Sequence, residues 1–235
     1  MSHSQRARNL PGEIADAYIE AVLDQGPQKV RVLDLAKGLG INKNSYYYYF
    51  SSKNSIGYWI FRRDVANMLD ECIAPEHHVF LSDDEFPFDR TRYASFAYYA
   101  RIPSGVRMLD QGEFFKQLVV YLRRRQQFYR LMFQDRSSDN LVTYMNRYYE
   151  HALLRDVQII ADGRYLPAET HTFLARSFTK LFLGMLVDLV IEPELPDVLL
   201  NASSNPFWNI SAEAINEAIR NHPISRSPLT LDYIA

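Results

Sequence analysis

The stretch VLDLAKGLGINKNSYYYYFSSKNSI, residues 32–56, decides the fold. Its apolar positions recur in two short runs at helical spacing, not at the alternation of a strand. The first run predicts a helix from Val32 to Leu39 with Leu35, Ala36 and Leu39 on its inner face, and Gly40 breaks it. Asn42 is a good N-cap for a second helix, Lys43 to Phe50. Two short helices joined by a glycine turn have the spacing of a helix-turn-helix, whose second helix enters the DNA major groove while the first holds it in place. At about 100 degrees per residue, Tyr46, Tyr49 and Phe50 share a face that should pack on Leu35, Leu39 and Ile41. Lys43, Asn44, Tyr47 and Tyr48 share the other, where they can meet phosphates, base edges and thymine methyls. Four consecutive residues of one short helix cannot all point inward, so the tyrosine run divides into two core and two surface positions.

Working outward, the charge supports this reading. Over residues 29–63, Lys29, Arg31, Lys37, Lys43, Lys53, Arg62 and Arg63 stand against Asp34 alone, a local balance of +6 in a chain whose net charge is -2. A basic window in an otherwise acidic chain suits a polyanion and keeps the rest of the molecule away from it.

The remainder is helical in pattern. A first helix starts with Pro11 in its first turn and stops at Gln25-Gly26-Pro27. Ser51-Ser52 offer a cap for Asn54 to about Cys72. Residues 74–88 look like a loop with an acidic Asp83-Asp84-Glu85 run, and a helix is expected over 89–100. Longer helices follow over about 113–134, 140–161 and 168–191, a polar linker over 201–206, a last helix over 207–221, and an irregular tail after Pro223. No run of alternating strands is evident, so the fold class is all-α: a three-helix head over 1–53, then a larger helical bundle over 54–235.

Several classes are excluded. With 47% hydrophobic and 23% charged residues among 235, the chain has material for a core and lacks the composition of a disordered one. The longest apolar stretch, Leu181 to Ile191, is interrupted by Asp188 and too short to span a bilayer. Met1 to Leu10 has no apolar signal core, so a cytoplasmic protein is expected. Cys72 is the only cysteine, which excludes an intrachain disulfide. There is no Gly-rich phosphate loop, HExxH motif or nucleophile elbow, and no cofactor or metal is expected. His77-His78 lacks correctly spaced companion ligands, and His151 and His171 are isolated.

Leu35-Ala36, Leu39-Gly40-Ile41, Ser45, Tyr47, Phe50, Ser52-Lys53 and Ile56 together resemble the DNA-binding head of the TetR family of transcriptional regulators, over about residues 10–60. The resemblance implies that Lys43, Asn44 and Tyr48 face bases or nearby phosphates, that Tyr47 bonds a phosphate through its hydroxyl, and that Lys53 binds another with help from the helix dipole. Ser45 belongs to the same expected surface, and Arg31 supplies a further backbone contact. Three positions depart from the family pattern. Arg31 stands where a capping Thr is common, Leu33 where a polar or basic residue is usual, and Tyr46 where an aliphatic is usual.

The body carries no family signature of its own. Residues 93–149 hold 13 aromatics, including Tyr93 and Phe96, and tyrosine supplies both the apolar walls and the polar groups of a pocket. Tyr99, Tyr121, Phe128, Tyr148 and Phe178 are the candidates to line one for a small apolar or aromatic effector. Leu181 to Ile191 is apolar nearly all round, which suggests core on one side and a second copy on the other. Leu181, Gly184, Met185, Trp208 and Ile215 are the candidate residues of a four-helix homodimer interface. Arg123-Arg124-Arg125 is expected to be a solvated or interdomain cluster, open to an acidic effector.

The expected function is a ligand-responsive regulator, with repression the commoner family outcome. As a dimer it would bind a palindromic operator in double-stranded DNA and be released by its effector. The alternatives are a helical small-molecule-binding protein or enzyme whose head is structural only, and an interaction adaptor using its aromatic surface. No convergent acid, base or nucleophile set supports an enzyme.

Overall fold

The computed structural model describes residues 3–81, 95–106, 108–192, 194 and 206–221, with side chains from residue 10 and, in the last segment, from residue 213. The acidic run at 83–85, Tyr93, the linker over 201–205, the tail after Pro223 and the side chain of Trp208 lie outside the described residues. Among the described residues the chain is all-α, with nine helices and four strands of two or three residues.

Helix α1 (His3–Gln25) begins before Pro11. A proline inside a helix removes one amide donor, a local cost that does not forbid the preceding turns. Gly26, at φ +80°, ends the helix by donating to the Val22 carbonyl. Helix α2 (Val32–Gly38) and α3 (Lys43–Tyr49) are joined by Gly40 at φ +64°. Ile41 donates to the Ala36 carbonyl at 2.9 Å and Gly40 to Lys37 at 3.1 Å, the paired bonds of a Schellman turn, whose left-handed residue favours glycine. Asn42 accepts from the Ser45 amide at 2.7 Å and starts α3. Ser52 and Ser55 exchange amide-to-hydroxyl bonds at 3.1 and 3.2 Å, capping α4 (Asn54–Cys72). Cys72, at the far end of α4, is exposed.

The segment after α4 departs from the expected loop and helix. Strand β1 (His78–Val79) pairs antiparallel with β2 (Tyr99–Ala100), and β3 (Pro103–Gly105) with β4 (Met108–Leu109). Tyr98 and Arg101 extend the first pairing by donating to the carbonyls of Val79 and His77, each at 2.9 Å. Strands this short carry no alternation signal, and Tyr99 and Ala100 are buried on both faces.

The single helix expected over 113–134 is two, α5 (Gln111–Arg123) and α6 (Gln126–Phe133). Arg125 leaves helical geometry at φ -125°, ψ 41°, and its guanidinium grips the Asp64 carboxylate at 2.6 and 2.7 Å. The break follows from this tertiary contact, since the arginines themselves favour a helix. Helices α7 (Leu141–Ala161), α8 (Ala168–Ile191) and α9 (Pro206–Asn221) follow, with α7 and α8 forming the most extensive pair. Asp162 and Gly163, both at positive φ, end α7.

One connected core of buried side chains runs from Ile14 and Tyr18 on α1 through α4 to Leu186 and Val190 on α8. A smaller cluster, Val157, Ile160, Leu166, Leu174 and Ile215, fixes α9 against α7 and α8. Gly57 lets α4 approach its neighbours closely, since a Cβ there would lie 2.6 Å from the Met132 methyl on α6.

Candidate nucleic-acid interface and interior sites

The tyrosine run on α3 divides by angle. Tyr46 and Phe50 are 0% and 1% exposed, while Tyr47 and Tyr48 are 44% and 66% exposed. Tyr49 is half-buried and packs on the core. The Tyr46 hydroxyl donates to the Ser52 carbonyl at 3.0 Å, which ties α3 to the start of α4. The exposed rings stand on less exposed neighbours. Tyr47 meets Tyr46 edge-on at 5.2 Å, and Tyr48 meets Tyr49 edge-on at 4.9 Å. The Lys43 ammonium lies 5.5 Å from the Tyr47 ring centre, and Asn44 is exposed beside it. Ser45 is half-buried, with its amide held by Asn42. Arg31 and Leu33 on the edge of α2 are exposed, and Arg31 lies 3.8 Å from Asp34. Arg31 makes no side-chain cap to α2. The surface therefore combines cations, an amide and two braced phenol rings, the groups that meet phosphates and base edges.

Lys53 is placed differently. Its ammonium turns inward and donates to the carbonyls of Pro27 at 2.8 Å and Gln28 at 3.1 Å, in the turn between α1 and α2.

The interior holds two charged networks that the sequence reading did not single out. Buried Asp64 accepts from Arg125 and from the Tyr129 hydroxyl at 2.7 Å, with Arg63 at 3.5 Å. Buried Asp156 accepts from Tyr99 at 2.6 Å, Arg101 at 2.7 Å and Gln111 at 2.8 Å. Burial pushes the Tyr99 and Tyr129 phenols well above their usual range, and the neighbouring carboxylates push the same way. Burial also raises the Asp156 carboxyl, against the pull of Arg101 and its hydrogen-bond donors. Arg62, 1% exposed, lies over the Tyr148 and Tyr98 rings at 4.9 and 5.5 Å and donates to the Phe96 carbonyl at 2.7 Å. A signal for Asp156 existed: it falls on the inner face of α7 with Ala152, Leu153, Val157 and Ile160. Asp64 likewise repeats the inward spacing of Ile56, Ile60 and Met68 on α4.

The five pocket candidates are not brought to one place. Tyr99 bonds Asp156, and Tyr148 lies under Arg62. Phe128 packs on Tyr18 and Tyr129, while Tyr121 sits half-buried at the α5 surface, 4.2 Å from the Arg124 guanidinium. Phe178 bridges the two core clusters. None of the five lines either of two open grooves, one of about 530 Å³ along α8 beside Phe173, Arg176 and Lys180, the other of about 210 Å³ between the α1–α2 turn and the end of α6.

Of the interface candidates, Leu181 is 52% exposed, and Gly184 is exposed with open space where a Cβ would stand. Met185 is half-buried against the core. Ile215, 2% exposed, packs within its own chain, where α9 closes on α7 and α8. Each of the three arginines has a partner within the chain, Arg124 and Arg125 from exposed positions. Arg123 donates to the Leu189 carbonyl at 2.9 Å, Arg124 pairs with Glu71 at 2.8 Å, and Arg125 holds Asp64. The His78 ring nitrogen Nε2 meets the Leu69 and Ile73 carbonyls at 3.2 and 3.0 Å, capping the end of α4. Among the described residues no group of three His, Cys, Asp or Glu is arranged to hold a metal, and no helix is long and apolar enough to cross a membrane.

No family model and no curated protein matches the chain. Among solved structures it is similar to one described as the dihydroxyacetone kinase operon activator DhaS, at 15% identity and a TM-score of 0.46, over 89% of this chain and 96% of that one.

Proposed function

We propose that the protein is a DNA-binding transcriptional regulator of the TetR type. It acts in the cytoplasm as a homodimer whose two α3 helices read the half-sites of a palindromic operator. The observation that carries this is the pair α2 and α3, joined at Gly40 by a Schellman turn, with Lys43, Asn44, Tyr47 and Tyr48 facing out from a buried Tyr46–Phe50 base. The exposed cations Lys29, Arg31, Lys37 and Lys43 supply the attraction to phosphates. One short head makes few contacts, so two heads are needed for affinity, and the exposed stretch of α8 around Leu181 and Gly184 is where the second copy packs.

In this reading the division at residue 53 separates the part that touches DNA from the part that senses an effector. Binding of a small apolar or aromatic compound in the body, beside Tyr99 and Tyr148, shifts α4, which joins the two parts, and the operator is released. The buried rings of Tyr99 and Tyr148 must move to admit such a compound. Repression relieved by the effector is the expected sense of regulation, and no catalytic step is involved.

The test is selection of bound sequences from a random DNA pool by the full chain, followed by gel shift across a salt series. Enrichment of an inverted repeat, steep salt dependence, and weakened binding by Lys43→Ala and Tyr47→Phe are expected. An unenriched pool would refute the reading.

A further inference from the structure

The lysine that the family resemblance assigns to a phosphate has a different environment here. The two Lys53 contacts, to Pro27 and Gln28 at 2.8 and 3.1 Å, tie the start of α4 to the turn between α1 and α2. Gln28 continues the chain, donating from Nε2 to Asp135 Oδ1 at 3.2 Å, just beyond the end of α6. Asp135 is itself fixed by the Ser137 amide at 3.1 Å and the Ser137 hydroxyl at 2.9 Å. Partial burial pushes its carboxyl up, but the Ser137 bonds, Gln28 and the Lys53 charge outweigh this and hold it below the usual carboxylate range.

The same loop is held a second time. Asn54 donates to the Asp139 carbonyl at 2.7 Å and the Tyr58 hydroxyl donates to it at 2.9 Å. Tyr58 lies parallel to Tyr144 at 4.1 Å, which fixes this side of α4 against α7. Residues 134–140 thus touch both the turn ahead of α2 and the first turn of α4. A lysine ammonium is a mobile point charge with three donors. Here two of those donors are occupied by carbonyls within the protein.

We propose that Lys53 and Asp135 are positioning residues: through Gln28 they pin the helix-turn-helix to the loop over 134–140 and so set the separation at which the two recognition helices meet DNA. The proposal rests on the DNA-binding reading and deepens it. A lysine that neutralises a phosphate releases about one counterion, so its removal lowers the salt slope by about one. A lysine that acts inside the protein leaves the slope unchanged. Its loss instead loosens the head, and a looser head tolerates half-sites placed at other spacings.

The experiment takes the full chain and the operator it selects, and measures affinity across a salt series and on operators whose half-sites are moved one or two base pairs apart or together. Lys53→Ala, Asp135→Ala and Gln28→Ala are compared with wild type. Gln28 is exposed, so its variant keeps the test alive if Lys53→Ala fails to fold. Each variant is expected to lose affinity at the native spacing, by about tenfold for a lost bond to a charged group, with an unchanged salt slope and a flatter dependence on spacing. A slope lowered by about one with the spacing profile unchanged would make Lys53 a phosphate contact and overturn the proposal. Wild-type behaviour of both Asp135→Ala and Gln28→Ala would overturn it as well. If wild type selects no DNA at all, the DNA-binding reading itself has failed, an outcome separate from the other two.

Discussion

The tyrosines of α3 and those of the body use one side chain in two ways. On α3, burial alternates by angle along one helix turn, from 0% at Tyr46 to 66% at Tyr48, and the neighbours that brace each ring are adjacent in sequence. In the body, Tyr99 and Tyr129 are fully buried, and what holds each hydroxyl is a carboxylate 57 or 65 residues away. The phenol on α3 is thus positioned by local geometry. At Tyr99 and Tyr129 the polar end is spent on a buried charge, and the ring serves as packing. The same residue type stands exposed in one place and forms core in the other, and the sequence neighbourhood alone separates only the first.

The largest effect that would break this contrast comes from Asp156→Ala. It strips the acceptor from Tyr99, Arg101 and Gln111 together and leaves their donors in a buried site. A loss of about 3–5 kcal/mol is expected in urea unfolding, the cost of removing one partner of a buried pair. A loss below about 1 kcal/mol would mean that the body phenols are not anchored this way.

Next in size is the response to alkali. Tyr99, Tyr129 and Tyr149 have phenols raised by burial, so above pH 10.0, their ordinary value, the unfolded chain releases protons that the folded chain keeps. Stability contributed by these groups is complete below that pH and falls as pH rises through it, by up to about 1.4 kcal/mol per pH unit for each phenol. Tyr99→Phe removes one such group, and denaturation at pH 9 and pH 11 should show a shallower fall than in wild type.

Tyr46→Phe sharpens the contrast within α3. It keeps the packed ring and removes the bond to Ser52, with an expected loss of about 1 kcal/mol by thermal or urea unfolding. Tyr48→Ala completes the series with the smallest effect on folding, within about 0.5 kcal/mol, while operator affinity falls. A folding loss comparable to that of Tyr46→Phe would place Tyr48 with the core residues.

Much of the fold was legible because it is local. The ends of α4 and α8, the glycine turn at Gly40, the Asn42 cap and the inward and outward halves of the tyrosine run all follow from helical spacing and from residues within a turn of one another. What the sequence hid depends on partners far along the chain. The break before α6 requires Asp64, 61 residues from Arg125. The β1–β2 pair joins His78–Val79 to Tyr99–Ala100, far apart in sequence, with strands too short to show a period. Lys53 sits where the sequence alone suggests a surface cation, yet its immediate partners, Pro27 and Gln28, lie 26 and 25 residues away. Ile215 is apolar at helical spacing, which describes an interface residue and a core residue equally well, and only the packing of α9 decides between them.

The thiol at the end of α4 has a practical consequence. Because Cys72 is the chain's only cysteine and is exposed, one maleimide dye or nitroxide attaches per chain with no engineering. Helix α4 is 19 residues long, so the label rides on a lever of about 28 Å whose other end carries Lys53 and the α2–α3 pair. In a homodimer the two labels form a ready-made spectroscopic ruler, and the distance between them follows any tilt of α4 in solution without a change to the residues proposed to read DNA.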